Sequence, residues 1–129
     1  MSTVPPTAGS SSRRLRVIGP GRAGGALATA LAAAGWDVAE PVPRGGDPRG
    51  AAADVDLVVV ATPDAVVADV AAAVEPGPAV VGHLSGSLGL DALDPHGRRT
   101  AVHPLVALPS AEVGARRLRG AWFAVAGDP

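Results

Sequence analysis

From Arg14 onward, short apolar runs of strand length alternate with Ala-rich stretches of helix length, the pattern of a parallel sheet covered by helices. Leu15 to Ile18 reads as a buried strand that ends at Gly19-Pro20-Gly21. Arg22 to Ala34 has no breaker after Gly25, and Gly35 stands where a left-handed cap belongs, so a helix is predicted there. Trp36 to Val42 is the second predicted strand, cut short by Pro41 and Pro43, and the Gly- and Pro-rich segment from Arg44 to Ala53 is predicted as a loop. Asp56 to Thr62 is a β-branched run without polar alternation, which implies burial on both faces and a place at the centre of the sheet. A helix should begin at Pro63 and Asp64, whose carboxylate complements the helix dipole, and run to about Val74 before Pro76-Gly77-Pro78 stops it. Ala79 to Leu84 follows as a strand and Ser85 to Leu93 as a loop with a short helix. Arg99 to His103 and Trp122 to Ala126 read as two further short strands.

A chain of 129 residues has the length of one domain. Hydrophobic residues make up 47% of it but aromatics only 2%, so the core is built from Ala, Val and Leu, side chains that let helices approach a sheet closely. There is no cysteine, which excludes a disulfide framework and thiolate metal sites and makes an intracellular, cytoplasmic protein the simpler expectation. A net charge of -1 with 11 Arg and no Lys argues against an extended nucleic-acid surface. The apolar stretches are broken by Asp56, Asp64 and Asp69 well short of the roughly 18 residues a membrane span needs. Met1 to Arg13 lacks the apolar centre of a secretory signal and reads as a disordered leader.

The strongest local signal is Gly19-Pro20-Gly21-Arg22-Ala23-Gly24, placed directly after a predicted strand and directly before a predicted helix. In a dinucleotide fingerprint the first Gly makes the tight turn, the second admits a pyrophosphate to the backbone, and the third lets helix pack on strand, with N–H groups of Arg22 and Ala23 at the helix start facing the phosphates. A Gly-rich turn that binds nothing is the alternative. Cofactor identity is decided about 20 residues further on, where an acid binds a free ribose hydroxyl and Arg favours a 2′-phosphate. Glu40 lies inside the second strand, whereas Arg44 sits just past its end; Arg44 makes NADP the preferred cofactor and NAD the second choice, unless Arg44 is only a solvated loop charge.

Thr62 and Pro63 close the central strand at the sheet edge where ligands bind in open parallel sheets. Thr62 either bonds ribose or phosphate or caps the next helix. His83, with Ser85 just beyond it, and His103 stand at two further strand ends. Each histidine either transfers a proton or orients a carboxylate or carbonyl substrate near the nicotinamide, or is hydrogen-bonded to backbone. His96, in a Pro/Gly turn, is expected to be exposed, and Arg116 to Arg119 reads as a solvated basic face. Three distant histidines without zinc-type spacing make a metal site improbable. A Rossmann-type methyltransferase usually carries an acid just before the glycines, where Val17-Ile18 stands here.

Ile18-Gly-Pro-Gly-Arg-Ala-Gly-Gly-Ala-Leu, Asp56-Leu-Val-Val-Val-Ala-Thr-Pro-Asp, His83-Leu-Ser-Gly-Ser-Leu-Gly-Leu, His103-Pro-Leu and Phe123-Ala-Val-Ala-Gly-Asp occur in an order that resembles a group of bacterial oxidoreductase-like proteins. These pair a Rossmann-like N-terminal domain with a helical C-terminal domain of unknown function and are similar to the 6-phosphogluconate dehydrogenase, pyrroline-5-carboxylate reductase and prephenate dehydrogenase group. The resemblance covers nearly all of Arg14 to Pro129. It implies a doubly wound α/β domain at 14–129 that binds a nicotinamide dinucleotide and moves hydride to or from a small carbonyl or imino substrate, with Thr62, His83, Ser85 and His103 near the reactive ring. The segment between Arg44 and Asp54 is shorter than the family's helix plus strand. The helical domain that closes the site and makes the dimer in related dehydrogenases is expected to be absent from these residues. Activity would then call for a helical partner domain or a homodimer, and the alternative is a non-catalytic NAD(P)-binding module acting as a sensor or as half of a split enzyme.

Overall fold

The computed structural model describes residues 13–19, 21–104, 110–118 and 123–128. The expected leader and Trp122 lie outside these residues, Arg13 apart. β1 (Arg14–Ile18), β2 (Asp37–Val38), β3 (Leu57–Val60), β4 (Val80–His83), β5 (Arg99–Pro104) and β6 (Phe123–Gly127) form one sheet in the order β2-β1-β3-β4-β5-β6. All neighbours are parallel except β6, which runs antiparallel to β5. The helices are α1 (Arg22–Ala33), α2 (Asp64–Ala73) and α3 (Ala111–Leu118), with a 3₁₀ turn at Leu90–Leu93.

Alternation along the strands splits the core into two layers. Leu15, Val17 and Val59 pack with Leu27, Leu31 and Trp36 on the α1 face, while Val58, Val60 and Val81 pack with Val67, Ala71 and Leu93 on the α2 face. Burial of Val58, Val59 and Val60 at 3% exposure or less is what the polar-free run at the sheet centre requires. α1 ends in the expected manner: Gly35 has φ +101, Gly35 N–H donates to Ala32 O and Trp36 N–H to Leu31 O, which satisfies two terminal carbonyls.

The second strand is shorter than its sequence suggests. Only Asp37–Val38 forms a ladder, followed by single contacts from Ala39 N–H to Leu15 O and Val42 N–H to Val17 O. Pro41 and Pro43 supply no N–H, and the Glu40 carbonyl is taken by Arg16 Nε at 2.9 Å. The loop that the sequence predicts at 44–53 also enters the core: Ala51 and Ala52 are buried beside Ile18, Val58 and Val60. Arg16 holds it there, donating from one guanidinium nitrogen to Ala51 O at 2.9 Å and Asp54 Oδ1 at 2.7 Å. Arg16→Ala leaves the Glu40 and Ala51 carbonyls without these donors and should cost about 1–3 kcal/mol. A lowered urea midpoint at unchanged slope would show it.

His96 corrects an expectation. It is 7% exposed, with Nε2 2.7 Å from Ala71 O, so the Pro/Gly turn folds the ring under the end of α2 instead of into solvent. α3 is also new. Arg116 is exposed on it as expected, but Leu118 is buried, and Ala111 packs close to Gly25 of α1.

Candidate functional site

The chain leaves β1 through α1 on one face of the sheet and leaves β3 through α2 on the other, so the loops after these neighbouring strands diverge. Strand order reverses between them, which is where open α/β sheets form a ligand crevice. A cleft of about 1000 Å³ lies there. Its walls are Gly19, Gly21, Arg22 and Ala23 after β1, Pro43 to Gly46 with Pro48 beyond β2, and Ala61, Thr62 and Pro63 after β3, with Val66 and Val70 of α2. Among the described residues, the charged ones on this lining are Arg22 and Arg44, and no carboxylate lines it.

Each glycine of the turn does a different job. Gly19 has φ +74, and a Cβ on it would meet Thr62 Cγ2 at 2.9 Å. A Cβ on Gly24 would meet Val17 Cγ1 at 2.8 Å and Ala61 Cβ at 2.9 Å, so Gly24 lies behind the cleft as the seat of α1 on the sheet. A Cβ on Gly21 would meet nothing within 4 Å. Gly21 is the N-cap of α1, and the first helical bond runs from Gly25 N–H to Gly21 O at 2.8 Å. The N–H groups of Arg22, Ala23 and Gly24 precede that bond, no side chain caps them, and no acid stands in the first turn. This is the positive end of a helix dipole at the wall of an acid-free cleft.

Thr62 does not cap α2, whose N-cap is Pro63. Its Oγ1 is buried and has no hydrogen-bond partner among the described residues. An unpaired buried hydroxyl costs free energy unless a ligand pairs with it, and the methyl group of the same side chain lies against the Gly19 turn. Arg44 lies on the cleft lining and Glu40 is not part of it.

The other candidates gather at the neighbouring strand ends, outside the cleft. His83 is 1% exposed with both ring nitrogens committed: Nδ1 accepts from Ser85 N–H at 3.1 Å and Nε2 donates to Gly89 O at 3.0 Å. Of the two readings of His83, proton transfer or bonding to backbone, these contacts are those of the second. The ring instead shapes the loop that carries Ser85. His103 is different. Nδ1 donates to Leu84 O at 3.0 Å, and Nε2 has no partner among the described residues. Its ring lies against Gly86, where a Cβ would approach Nε2 to 2.8 Å.

Two residues enter that sequence reasoning missed. Asp64 Oδ2 accepts from Ser87 Oγ at 2.7 Å and from Ser85 Oγ at 2.9 Å. These hydroxyls, Ser87 first, hold the Asp64 carboxyl below the ordinary carboxylate range. The only sequence signal for this contact is the Ser-Gly-Ser spacing, which puts two hydroxyls on one side of a tight turn. Among the described residues no three His, Asp or Glu side chains group to hold a metal ion.

A solved structure from Bacteroides fragilis, whose proposed activity is that of an NADP oxidoreductase, superposes with a TM-score of 0.74 over 92% of this chain at 14% sequence identity. The fold is Rossmann-like. At that identity the likeness is one of fold, and the chain spans about half the length of that protein, 52%. No known protein-family profile matches the sequence, and no curated protein does. No helix of the described residues is long and apolar enough to cross a membrane.

Proposed function

We propose that residues 14–129 are the nicotinamide-dinucleotide-binding domain of a cytoplasmic oxidoreductase that transfers hydride between the cofactor and a small carbonyl or imino substrate, with NADP preferred over NAD. The observation that carries this reading is the cleft at the strand-order reversal, whose described lining holds the uncapped start of α1 and Arg44 but no acid. The residues fit the cofactor. Gly21 leaves room for a diphosphate, the N–H groups of Arg22 and Ala23 stand at the same wall, and Thr62 Oγ1 offers a buried hydroxyl without a partner. Bound there, the dinucleotide would supply the hydride carrier. The chain's own groups orient it, and His103 Nε2, which has no partner among the described residues, is left to accept a proton. The proposed activity of the fold neighbour points to the same cofactor class.

Arg44 carries the choice of NADP. A 2′-phosphate beside it would gain charge-assisted hydrogen bonds that a free ribose hydroxyl does not. Arg44→Glu should lower NADPH affinity relative to NADH by about tenfold or more, since such bonds are worth about 1.5–3 kcal/mol. Fluorescence titration of both cofactors checks this, and an unchanged ratio overturns the assignment.

Substrate walls are proposed to come from a helical domain, as in enzymes whose sites form between domains. One observation favours a second reading, a non-catalytic NAD(P)-binding module: His83 is fully used in shaping its own loop. The two separate in one experiment. Turnover of small keto or imino acids with NADPH, by this chain alone or with an added helical partner, supports the oxidoreductase. Tight binding without turnover in either condition supports the module.

A further inference from the structure

We propose that Asp64, Ser85, Ser87 and His103 form the pocket for the reacting end of the substrate, and that this end presents a protonated nitrogen, an ammonium or iminium group, in place of an anionic one. The location rests on the dinucleotide reading, because the cluster adjoins the cleft where Pro63 gives way to Asp64. The chemistry rests on the hydrogens. Both serine hydroxyls donate to Asp64 Oδ2, and Ser87 N–H donates to Ser85 Oγ at 3.1 Å. Ser85 N–H is taken by His83, and the Nδ1 hydrogen of His103 by Leu84 O.

With Asp64 ionised and His103 carrying its ring hydrogen on Nδ1, every side-chain hydrogen of the cluster is therefore committed, and what remains accepts. The remaining acceptors are the second oxygen of Asp64, lone pairs on the serine oxygens, and Nε2 of His103. Asp64 and Ser87 are exposed, and no cation is paired with Asp64 among the described residues. A carboxylate or phosphate brought here would find no side-chain donor and one like charge. An ammonium finds a charge partner and several acceptors, with Nε2 placed to take its proton. The sheet edge is thus divided: an acid-free stretch carrying Arg22 and Arg44 suits the dinucleotide's phosphates, and the adjoining stretch suits a cation.

The test is NMR of the His103 ring in the full chain, titrated with isopropylammonium and separately with isobutyrate, alone and with NADPH present. Isopropylammonium should shift the ring resonances with a Kd about two- to fivefold below that of isobutyrate, the size expected for one solvent-screened charge pair. Asp64→Asn should remove the preference, and Ser87→Ala, which keeps the carboxylate, should retain it. Equal or tighter binding of isobutyrate overturns the proposal. So does an ammonium preference that survives Asp64→Asn, or its loss in a folded Ser87→Ala chain, which would mean that loop order and not charge selects the ligand. NADPH titration of the unaltered chain is read apart from these: its failure removes the dinucleotide reading, while the His103 shifts alone decide the cation pocket.

Discussion

Gly21→Val should leave the fold intact and lower NADPH and NADH affinity together by on the order of 100-fold, because valine fills the space where a diphosphate would meet the start of α1. A Cβ at this position meets nothing within 4 Å, so the change overpacks nothing. Gly21 is the N-cap of α1 and has no side-chain cap bond to lose. The structural cost is then the modest difference between Gly and an apolar residue at a cap, about 1 kcal/mol or less. The binding cost is larger. Two or more charge-assisted hydrogen bonds to the diphosphate would go, each worth about 1.5–3 kcal/mol. Thermal unfolding and fluorescence titration measured on the same preparation check both halves. Undiminished binding by a folded variant would place the dinucleotide elsewhere.

Equal loss for both cofactors is the part that distinguishes Gly21 from Arg44. The diphosphate is common to NAD and NADP, whereas Arg44 lies on the loop beyond β2 and would meet only the ribose end. One substitution should therefore move the two affinities together, and the other their ratio.

What was legible in the sequence was whatever depends on near neighbours along the chain. The Leu57–Val60 run shows its burial by lacking polar alternation, and Gly35 shows the end of α1 because no other residue takes φ +101 readily. The fingerprint spacing predicts three roles for Gly19, Gly21 and Gly24, and three different surroundings meet them in space. Contacts made by chain crossing were not legible. Asp64 reads as a dipole-complementing acid until a loop 21 to 23 residues later brings Ser85 and Ser87 to it. His96 reads as a turn residue until Ala71 O is seen beside it, and Ala51 and Ala52 read as loop until Arg16 ties them to the core. α3 went unread because Ala111–Leu118 offers a single amphipathic turn or two, and its burial depends on α1 lying alongside.

Gly24→Val tests the third role and should destabilise the protein by about 1–3 kcal/mol, the usual cost of adding bulk to a packed interface. Its Cβ alone would come to 2.8 Å from Val17 Cγ1, 2.9 Å from Ala61 Cβ and 3.3 Å from Gly19 O. These neighbours belong to β1 and to the turns beside the cleft, and Val17 is 1% exposed, so none of them yields without moving the sheet edge. Replacing Gly inside a helix returns some backbone entropy, but valine's own low helix propensity leaves a gain of only about 0.4 kcal/mol. The clash wins. α1 must then ride away from the sheet, carrying the Arg22 and Ala23 N–H groups with it, so dinucleotide affinity should fall along with stability, unlike in Gly21→Val. Val17→Ala in the same chain removes the shortest contact but not the one to Ala61. The pair should therefore cost less than the sum of the two single changes, yet not restore the parent, and a double-mutant cycle read by urea unfolding measures that coupling. Strict additivity would mean that α1 does not bear on Val17 at this point, and the helix start would lose its fixed position against the cleft.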